Sequence, residues 1–267
     1  MHVAEIRIYP VKGLRGRPVA EALVEPWGLA GDRRYMVVDA ETGRFLSQRE
    51  LPRMAVLEAA PRPGGLDLSG PGLGLLAVDE PGPDAPARDV TVWRDRVQAR
   101  DAGEEPATWL SGALGRACRL VRMVDPAAAR RVDPDFAEPG DRVSFADGFP
   151  LLVTNAASLD DLDKRLGAPV SMDRFRTNVV VTGAEAWAED GWQTLQIGSV
   201  PFVGTKDCAR CAVTTVDQDT GERSPEAEPL RTLAQFRRKA GGRIIFGQNL
   251  IPRGTGRIAL GDPVHAG

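Results

Sequence analysis

The amino-acid sequence predicts a mainly β protein with a few helices, a β-rich α+β fold. Short alternating or β-branched segments recur in the first hundred residues, at 4–9, 34–38 and 90–93. Clusters of glycine and proline, such as residues 61–65 and 80–84, separate them as turns separate strands. No Gly-x-Gly-x-x-Gly or Walker-type loop occurs, so the sequence shows no motif for binding a nucleotide. These observations favour a barrel-like β unit in residues 1–100.

Length and composition exclude several classes of protein. The chain has 267 residues, enough for one large or two modest domains. Its net charge of −3 gives no reason to expect a nucleic-acid partner. Three cysteines, an odd number, do not suggest a secreted disulfide scaffold. The first residues form an alternating strand, not a signal peptide, and no run reaches membrane length. We therefore expect a cytoplasmic protein with no membrane partner.

The remaining elements follow from periodicity and end signals. Residues 104–114 predict a helix closed by Gly115, with Trp109, Leu110 and Leu114 facing a core. The charged, proline-containing segment 127–142 predicts a solvated loop, which includes Arg130. Further on, we expect a strand at 151–155, a helix capped by Ser158 at 158–166, strands at 178–181, 194–197 and 200–203, a helix at 230–239 and a final strand at 257–260.

The most informative stretch is residues 205–221, which contains two of the three cysteines. Ala209 and Arg210 separate Cys208 from Cys211, and the β-branched run Val-Thr-Thr-Val follows at 213–216. Alternation in this run predicts a strand. We therefore expect Cys211 to lie where a loop becomes a strand, with its thiol held in place yet reachable from outside.

Several roles are open to such a thiol. Most free cysteines are small buried hydrophobes, although the Cys-x-x-Cys spacing weakens that interpretation. A structural zinc needs about four ligands, and the rest of the chain offers only Cys118, His2 and His265, with no second paired spacing. We therefore do not expect a structural zinc site. Thioredoxin-type chemistry places the pair at a helix start, whereas a predicted strand follows here. A reactive thiolate remains, stabilised by Arg210 and Lys206, as a soft metal ligand or a sulfur carrier.

The motif Cys-Ala-Arg-Cys-Ala-Val-Thr-Thr-Val-Asp-Gln-Asp-Thr-Gly at 208–221 resembles the signature of MOSC-domain proteins, in the branch of the mitochondrial amidoxime-reducing component and its bacterial relatives. Ile-Tyr-Pro-Val-Lys at 8–12, Gly-Asp-Arg-Arg at 31–34 and Arg-Phe-Arg-Thr-Asn at 174–178 extend the resemblance. Phe-Gly-Gln-Asn at 246–249 and Gly-Asp-Pro-Val at 261–264 carry it to the end of the chain. It implies an N-terminal MOSC-associated β-barrel domain in residues 1–100 packed with a MOSC β-barrel domain in residues 101–267.

The resemblance also implies a cofactor, molybdenum on a pyranopterin (molybdopterin), with Cys211 as the protein's metal ligand and catalytic residue. The cofactor's phosphate, once buried, requires cationic or N–H partners. Gly13 stands where the animal relatives have a serine, so only backbone remains there for binding. The cofactor-binding residues implied by the resemblance are Lys12, Gly13, Arg33, Thr154, Asn155, Arg176, Ala209, Arg210 and Cys211.

The activity implied by the resemblance is reduction of small N-hydroxylated substrates such as amidoximes and hydroxylamines. The chain ends after Gly-Asp-Pro-Val, so we expect a separate electron-transfer protein: a ferredoxin, a flavoprotein reductase or a cytochrome b5-like protein. Asp217 and Asp219 are candidate acids, but Asp-x-Asp-Thr-Gly favours a turn. Two alternatives stay open: a MOSC sulfur carrier that uses a cysteine persulfide, and a non-catalytic carrier of the molybdenum cofactor.

Overall fold

Strands dominate the architecture. The computed structural model describes residues 1–267 except for the side chain of residue 129. The strands of the described chain are β1 His2–Ile8, β2 Val11–Lys12, β3 Arg17–Val19, β4 Glu21–Glu25, β5 Gly28–Leu29, β6 Tyr35–Asp39, β7 Glu58–Arg62, β8 Gly65–Gly70, β9 Leu73–Asp79, β10 Ala87–Val92, β11 Asp95–Asp101, β12 Cys118–Arg122, β13 Leu151–Asn155, β14 Val179–Thr182, β15 Thr194–Ile197, β16 Val200–Ala209, β17 Ile245–Pro252, β18 Gly256–Ala259 and β19 Val264–Ala266. The mainly β prediction is confirmed.

Helical segments are short. The α-helices of the described chain are α1 Glu104–Leu114, α2 Pro126–Ala129, α3 Ala156–Asp163 and α4 Leu230–Phe236. Single 3-10 turns occupy Pro52–Val56, Met172–Phe175, Ala188–Gly191, Ala212–Thr215 and Ala240–Gly242. None of the helices in the part of the chain that the structure describes is long and apolar enough to cross a membrane.

The largest sheet joins both ends of the chain. Its eight strands lie in the order β19-β15-β16-β17-β13-β14-β1-β3, and β13 and β14 are its parallel pair. The first strand, β1, pairs with β14 far along the chain, which brings residues 9–12 beside the segment that follows residue 175. One continuous apolar core lies under this sheet and includes Ile6, Val153 and Phe202. Burial of this core supplies the main driving force for its assembly.

The remaining strands form smaller sheets. Five of them lie in the order β10-β11-β12-β6-β2, and two three-stranded sheets have the orders β18-β4-β5 and β7-β8-β9. Over the described residues each strand order is open at both ends, so the predicted barrels are barrel-like sheets without a closing ladder. β12 pairs with β6 in the five-stranded sheet. The division of the chain between residues 100 and 101 stays a prediction.

Several predicted elements are confirmed and others need correction. α1 spans the predicted residues, and Gly115 ends it in the left-handed conformation (φ 64°). α3 begins earlier than predicted, because the Asn155 side chain accepts the Ala157 N–H, whereas Ser158 is buried inside the helix and donates to Glu189. α4 ends at Phe236, three residues before the predicted end, and the last strand is β19. The sequence reading also missed β17, a central strand of the large sheet.

The segment after the cysteine pair is not the predicted strand. β16 comes before the pair, and Ala212–Thr215 form a 3-10 turn that begins at Cys211. Thr214 Oγ1 donates to the Cys211 carbonyl at 3.0 Å, and Thr215 Oγ1 donates to the Ala212 carbonyl at 2.7 Å. Threonine hydroxyls can satisfy carbonyls three residues back, which stabilises a turn in a sequence with high strand propensity. The pair therefore precedes a single helical turn, and the strand that was expected to set it apart from thioredoxin-type pairs is absent.

Candidate functional site

One cleft gathers the ends of several elements. It is bordered by five parts of the chain: strand β2, the segment before β6, the loop at 146–149, the 3-10 turn Met172–Phe175 and the end of β16. Its cavity volume is about 140 Å³, and the cleft is open to solvent. Five cationic side chains face one carboxylate, that of Asp147, in its lining. The cations are Lys12, Arg33, Arg49, Arg176 and Arg210.

Seven of the nine predicted cofactor-binding residues line this cleft. They are Lys12, Gly13, Arg33, Arg176, Ala209, Arg210 and Cys211. Thr154 and Asn155 do not line it. Thr154 is fully buried and its hydroxyl donates to Thr177, and the fully buried Asn155 caps α3 and donates to the Glu185 carbonyl at 2.6 Å. Their polar groups are thus engaged inside the fold.

A buried tyrosine organises the cationic residues. The guanidinium carbons of Arg33 and Arg176 lie 4.3 Å and 4.4 Å from the centre of the Tyr9 ring. Tyr9 is 1% exposed, and its hydroxyl donates to the Thr177 carbonyl at 3.0 Å. Burial raises the pKa of Tyr9 to about 12, against the neighbouring arginines, so the ring stays a neutral phenol. A neutral aromatic face can attract both cations without forming an ion pair with either.

The backbone at these two arginines is unusual. Both are in the left-handed region, Arg33 with φ 51° and Arg176 with φ 55°. Residues other than glycine adopt this region rarely and at a cost, and such residues concentrate at functional sites. The Arg33 N–H donates to the Tyr9 carbonyl at 2.7 Å, and the Arg176 N–H donates to the Asp173 carbonyl at 3.0 Å. These hydrogen bonds hold both side chains toward Tyr9.

The two guanidinium groups differ in how they are satisfied. Arg33 donates to Asp32, to the Asn178 side chain and to the Arg176 carbonyl. Burial lowers the pKa of Arg33, but the buried Asp32 carboxylate outweighs this and raises it. In Arg176, both terminal nitrogens are buried and have no hydrogen-bonding partner among the described residues. Burial lowers the pKa of Arg176 to about 10. A buried guanidinium without acceptors is costly, which indicates a site for an anion.

Lys12 lines the same cleft, and its burial makes its ammonium easier to deprotonate. Its side chain is buried, and its ammonium pairs with Asp147. Burial lowers the pKa of Lys12 to about 8, although Asp147 acts in the opposite direction. The Asp147 side chain is 69% exposed, and its partial desolvation, which opposes ionisation, is outweighed by Lys12 and a hydrogen bond from Trp93, which hold the pKa of that carboxyl well below its usual range. Asp147 is thus an exposed counter-ion of the buried Lys12.

A buried arginine holds the loop that carries Asp147. Arg130 is 4% exposed and donates to the carbonyls of Ser144, Ala146 and Asp147 at 2.8, 2.6 and 3.0 Å. It also pairs with Asp95 at 2.9 Å. The prediction of a solvated face is therefore wrong for Arg130, whose guanidinium replaces water as the partner of these carbonyls. Its sequence neighbour Arg131 is exposed.

The cysteine pair contributes two thiols with different surroundings. Arg210 donates to Cys208 Sγ at 2.8 Å and to the Phe175 carbonyl at 2.6 Å, so it joins the end of β16 to the turn before Arg176. Burial raises the pKa of Cys208 more than Arg210 lowers it. The predicted support from Arg210 therefore goes to Cys208, and Lys206 lies beside Asp133 and the Phe136 ring instead. Cys211 is half-buried and faces the cleft.

Gly13 lines the cleft, whereas the candidate acids Asp217 and Asp219 lie outside it. Gly13 has φ 87°, a conformation that favours glycine, and its carbonyl accepts from Gln48 at 2.9 Å. Asp217 accepts the N–H groups of Asp219 and Thr220 at 2.9 Å each, and it also pairs with Arg174. This is the predicted turn, and neither aspartate lines the cleft.

Sequence reasoning missed other residues of the cleft. Asp147 and Asn249 line it, as does Asn178, whose side-chain oxygen accepts from Arg33 at 3.2 Å. Asn178 and Asn249 end two of the quoted motifs, so a signal for them was present. The sequence around Asp147, Phe-Ala-Asp-Gly at 145–148, is typical of a turn and gives no indication of a functional role. Aromatic walls come from Phe45, Phe149 and Phe175.

The donor set limits how a metal could bind. Among the described residues, no group of three or more His, Cys, Asp and Glu side chains is arranged to hold a metal ion. The cleft offers thiols and an excess of positive charge instead. This arrangement suits a group that brings most of its own metal ligands and also carries an oxyanion.

The Lys12 pKa predicts that the anion affinity of the cleft depends on pH. As pH rises through about 8, Lys12 loses its proton and the cleft loses a positive charge. We expect sulfate affinity, measured by titration calorimetry, to fall roughly fivefold between pH 6.5 and 9.5, on the order of one screened charge contact. Lys12→Arg stays protonated and should give a flat profile. Equal declines in both proteins would contradict this role for Lys12.

The same shift predicts the sign of a stability change. Because the folded-state pKa of Lys12, about 8, lies below its ordinary value of 10.5, the unfolded chain binds more protons between these values. The Lys12 contribution to the free energy of unfolding should therefore rise with pH across that interval, and the rise should be absent in Lys12→Arg.

Arg130 and Arg131 provide a matched pair of substitutions. Arg130→Ala leaves three carbonyls without their charged donor, so we expect the free energy of unfolding to fall by roughly 2–4 kcal/mol. Arg131→Ala removes an exposed side chain and should change it by less than about 0.5 kcal/mol. Urea denaturation measures both values. Similar values for the two variants would show that the Arg130 contacts do not hold the loop.

The comparisons with known proteins cover nearly the whole chain. Residues 1–117 match the MOSC N-terminal beta barrel domain, and residues 140–265 match the MOSC domain. The chain is 35% identical to mitochondrial amidoxime-reducing component 1 of Homo sapiens, over 98% of this chain and 82% of that protein. It is 32% identical to mitochondrial amidoxime reducing component 2 of Homo sapiens, over the same shares of each chain.

A solved structure gives a weaker likeness. The crystal structure of the YUAD protein from Bacillus subtilis covers 98% of this chain and 92% of its own, with 11% identity and a TM-score of 0.47. That likeness adds nothing to the assignment. The two domain matches and the extent of the similarity to the amidoxime-reducing components show that the chain belongs to the MOSC-domain family.

Proposed function

We propose that this protein is a molybdenum-cofactor-dependent reductase of small N-hydroxylated substrates, amidoximes and hydroxylamines, supplied with electrons by a separate redox protein. The observation that carries the proposal is that a cysteine thiol and an unpartnered buried guanidinium, those of Cys211 and Arg176, line one cleft. The relatives with similarity over 98% of the chain are named amidoxime-reducing components, which supports the choice of substrate class.

The residues of the cleft fit a molybdenum–pyranopterin group. Cys211 would supply the protein's thiolate ligand, a soft donor of the kind that such a metal centre accepts. Arg176 offers free N–H donors for a phosphate, and Arg33, Lys12 and Arg210 add positive charge around it. The backbone of Gly13 and Ala209 would border the same group. Bound there, the cofactor would supply the two-electron chemistry that reduction of an N–OH group needs.

The chain's own groups prepare this site. Tyr9 holds two cations close together without neutralising them, because its ring stays un-ionised. Arg210 ties the cysteine segment to the turn that precedes Arg176. Lys12 has a pKa of about 8. Its ammonium can therefore donate a proton near neutral pH, and the proposed reduction consumes protons. Apolar rings, including Phe149, would face the organic part of a substrate.

Metal analysis of two cysteine variants tests the proposal. Protein is prepared from a molybdenum-supplemented host, and benzamidoxime reduction is followed with an artificial electron donor. We expect near-stoichiometric molybdenum and activity in the wild type, and the loss of both in Cys211→Ser, which lacks the soft ligand. Cys118→Ser is the control, because Cys118 is buried outside the cleft and should not affect the metal content.

The alternatives predict different outcomes for the same preparations. A sulfur carrier would contain no molybdenum even from a host that makes the cofactor, and mass spectrometry would find a persulfide on Cys211. A cofactor carrier would bind molybdenum through Cys211 yet fail to reduce benzamidoxime. Either result would overturn the reductase proposal. Melting curves of the variants separate loss of the ligand from loss of the fold.

A further inference from the structure

One cation of the cleft has no role in the site as described so far. Arg49 is half-buried and lines the cleft. Its guanidinium forms no ion pair and donates no hydrogen bond within the described residues, because the carboxylates closest to it in sequence and in the cleft have other partners. Glu50 pairs with two other arginines, and Asp147 pairs with Lys12. The charge of Arg49 is therefore available to a ligand.

A count of charges shows that the cleft can hold a second anion. Two of its five cations face the carboxylates of Asp32 and Asp147. The other three, Arg49, Arg176 and Arg210, have no carboxylate within ion-pair distance in the part of the chain that the structure describes. A phosphate carries about two negative charges. A cofactor phosphate held by Arg176 and Arg210 would thus leave the charge of Arg49 unbalanced.

Arg49 packs on a different aromatic ring from the buried arginines. Its guanidinium carbon lies 4.5 Å from the centre of the Trp93 ring, whereas Arg176 packs on Tyr9. Trp93 is 45% exposed and lies in the turn between β10 and β11. Arg176, by contrast, has both terminal nitrogens buried. Arg49 is therefore at the solvent-facing mouth of the cleft, where the end of a substrate would lie.

The tryptophan and the backbone of Arg49 are held in place. Trp93 has φ 56°, a left-handed conformation that is costly for a residue with a side chain. Its indole N–H donates to Asp147 at 3.2 Å, and its ring centre is 5.0 Å from that of Phe45. The Arg49 carbonyl accepts from Arg223 at 2.6 Å. A guanidinium packed on a fixed ring loses little freedom when it binds an anion.

We propose that Arg49 binds a carboxylate of the substrate, so that the preferred substrates are aromatic amidoximes that also carry a carboxyl group. This inference rests on the proposed reductase function, because it names the substrate class of the same cleft. One guanidinium balances one negative charge and matches a carboxylate with two parallel hydrogen bonds. Phe45 and Phe149 also line the cleft and provide apolar contacts for the aromatic body.

Paired substrates test the inference on holoenzyme from a molybdenum-supplemented host. The 3- and 4-carboxybenzamidoximes are compared with their neutral isosteres, the 3- and 4-carbamoylbenzamidoximes, by kcat/KM with an artificial electron donor. We expect at least one acid to exceed its isostere roughly five- to thirtyfold, mainly through a lower KM. This is the effect of one charge-assisted pair, reduced by partial exposure to solvent.

Variants separate Arg49 from the general positive charge of the cleft. Arg49→Gln should bring the ratio of acid to isostere to about one, and Arg49→Lys, which keeps the charge but not the planar fork, should retain part of the preference. Arg53→Gln is the matched control, because Arg53 is exposed and does not line the cleft. It should keep the wild-type ratio. All three variants should contain as much molybdenum as the wild type.

Three results would overturn the inference. They are equal kcat/KM values for acids and isosteres in the wild type, a preference that survives in Arg49→Gln, and loss of molybdenum from Arg49→Gln, which would assign Arg49 to the cofactor. Failure of the proposed function looks different. The wild type would then contain no molybdenum or reduce none of the amidoximes, benzamidoxime included, and the inferred substrate class would be wrong as well.

Discussion

The contact of two guanidinium groups with the Tyr9 ring is the constraint on which the site depends. Like charges at this separation repel each other, and burial removes the water that would screen them. Arg33 is stabilised by Asp32, but Arg176 has no counter-ion and no acceptor for its terminal nitrogens among the described residues. The fold holds Arg176 in a left-handed backbone conformation over a neutral ring. A site prepared at such a cost is suited to bind an anion.

The topology explains how distant residues reach this point. The first strand, β1, enters the large sheet beside β14, which places residues 9–12 next to Arg176. β16 runs along β17 and delivers the cysteine pair to the same edge, where Arg210 bonds the Phe175 carbonyl. Arg130 then holds the 144–147 carbonyls, so that Asp147 meets Lys12 at the mouth. The cleft therefore needs both halves of the chain.

Sequence patterns predicted the mainly β class and α1 with its terminal Gly115, because local periodicity and a left-handed cap decide such features. Motif resemblance found most cationic residues of the cleft. Local signals could not find β17, whose residues are mostly buried and whose Gly247, at φ 81°, interrupts the alternation. They also misread 213–216, where threonine hydroxyls bond carbonyls in a turn, and Arg130, whose partners lie on another segment. Such features depend on tertiary contacts that a single sequence does not display.

The most direct measurement is the melting temperature of Arg176→Gln beside the wild type, each with and without inorganic phosphate at fixed pH. If the Arg176 charge is buried without a partner, its removal should leave the melting temperature of the phosphate-free protein unchanged or raise it. Phosphate should stabilise the wild type by binding the native state and should stabilise the variant much less. A variant that melts well below the wild type yet responds equally to phosphate would contradict the account.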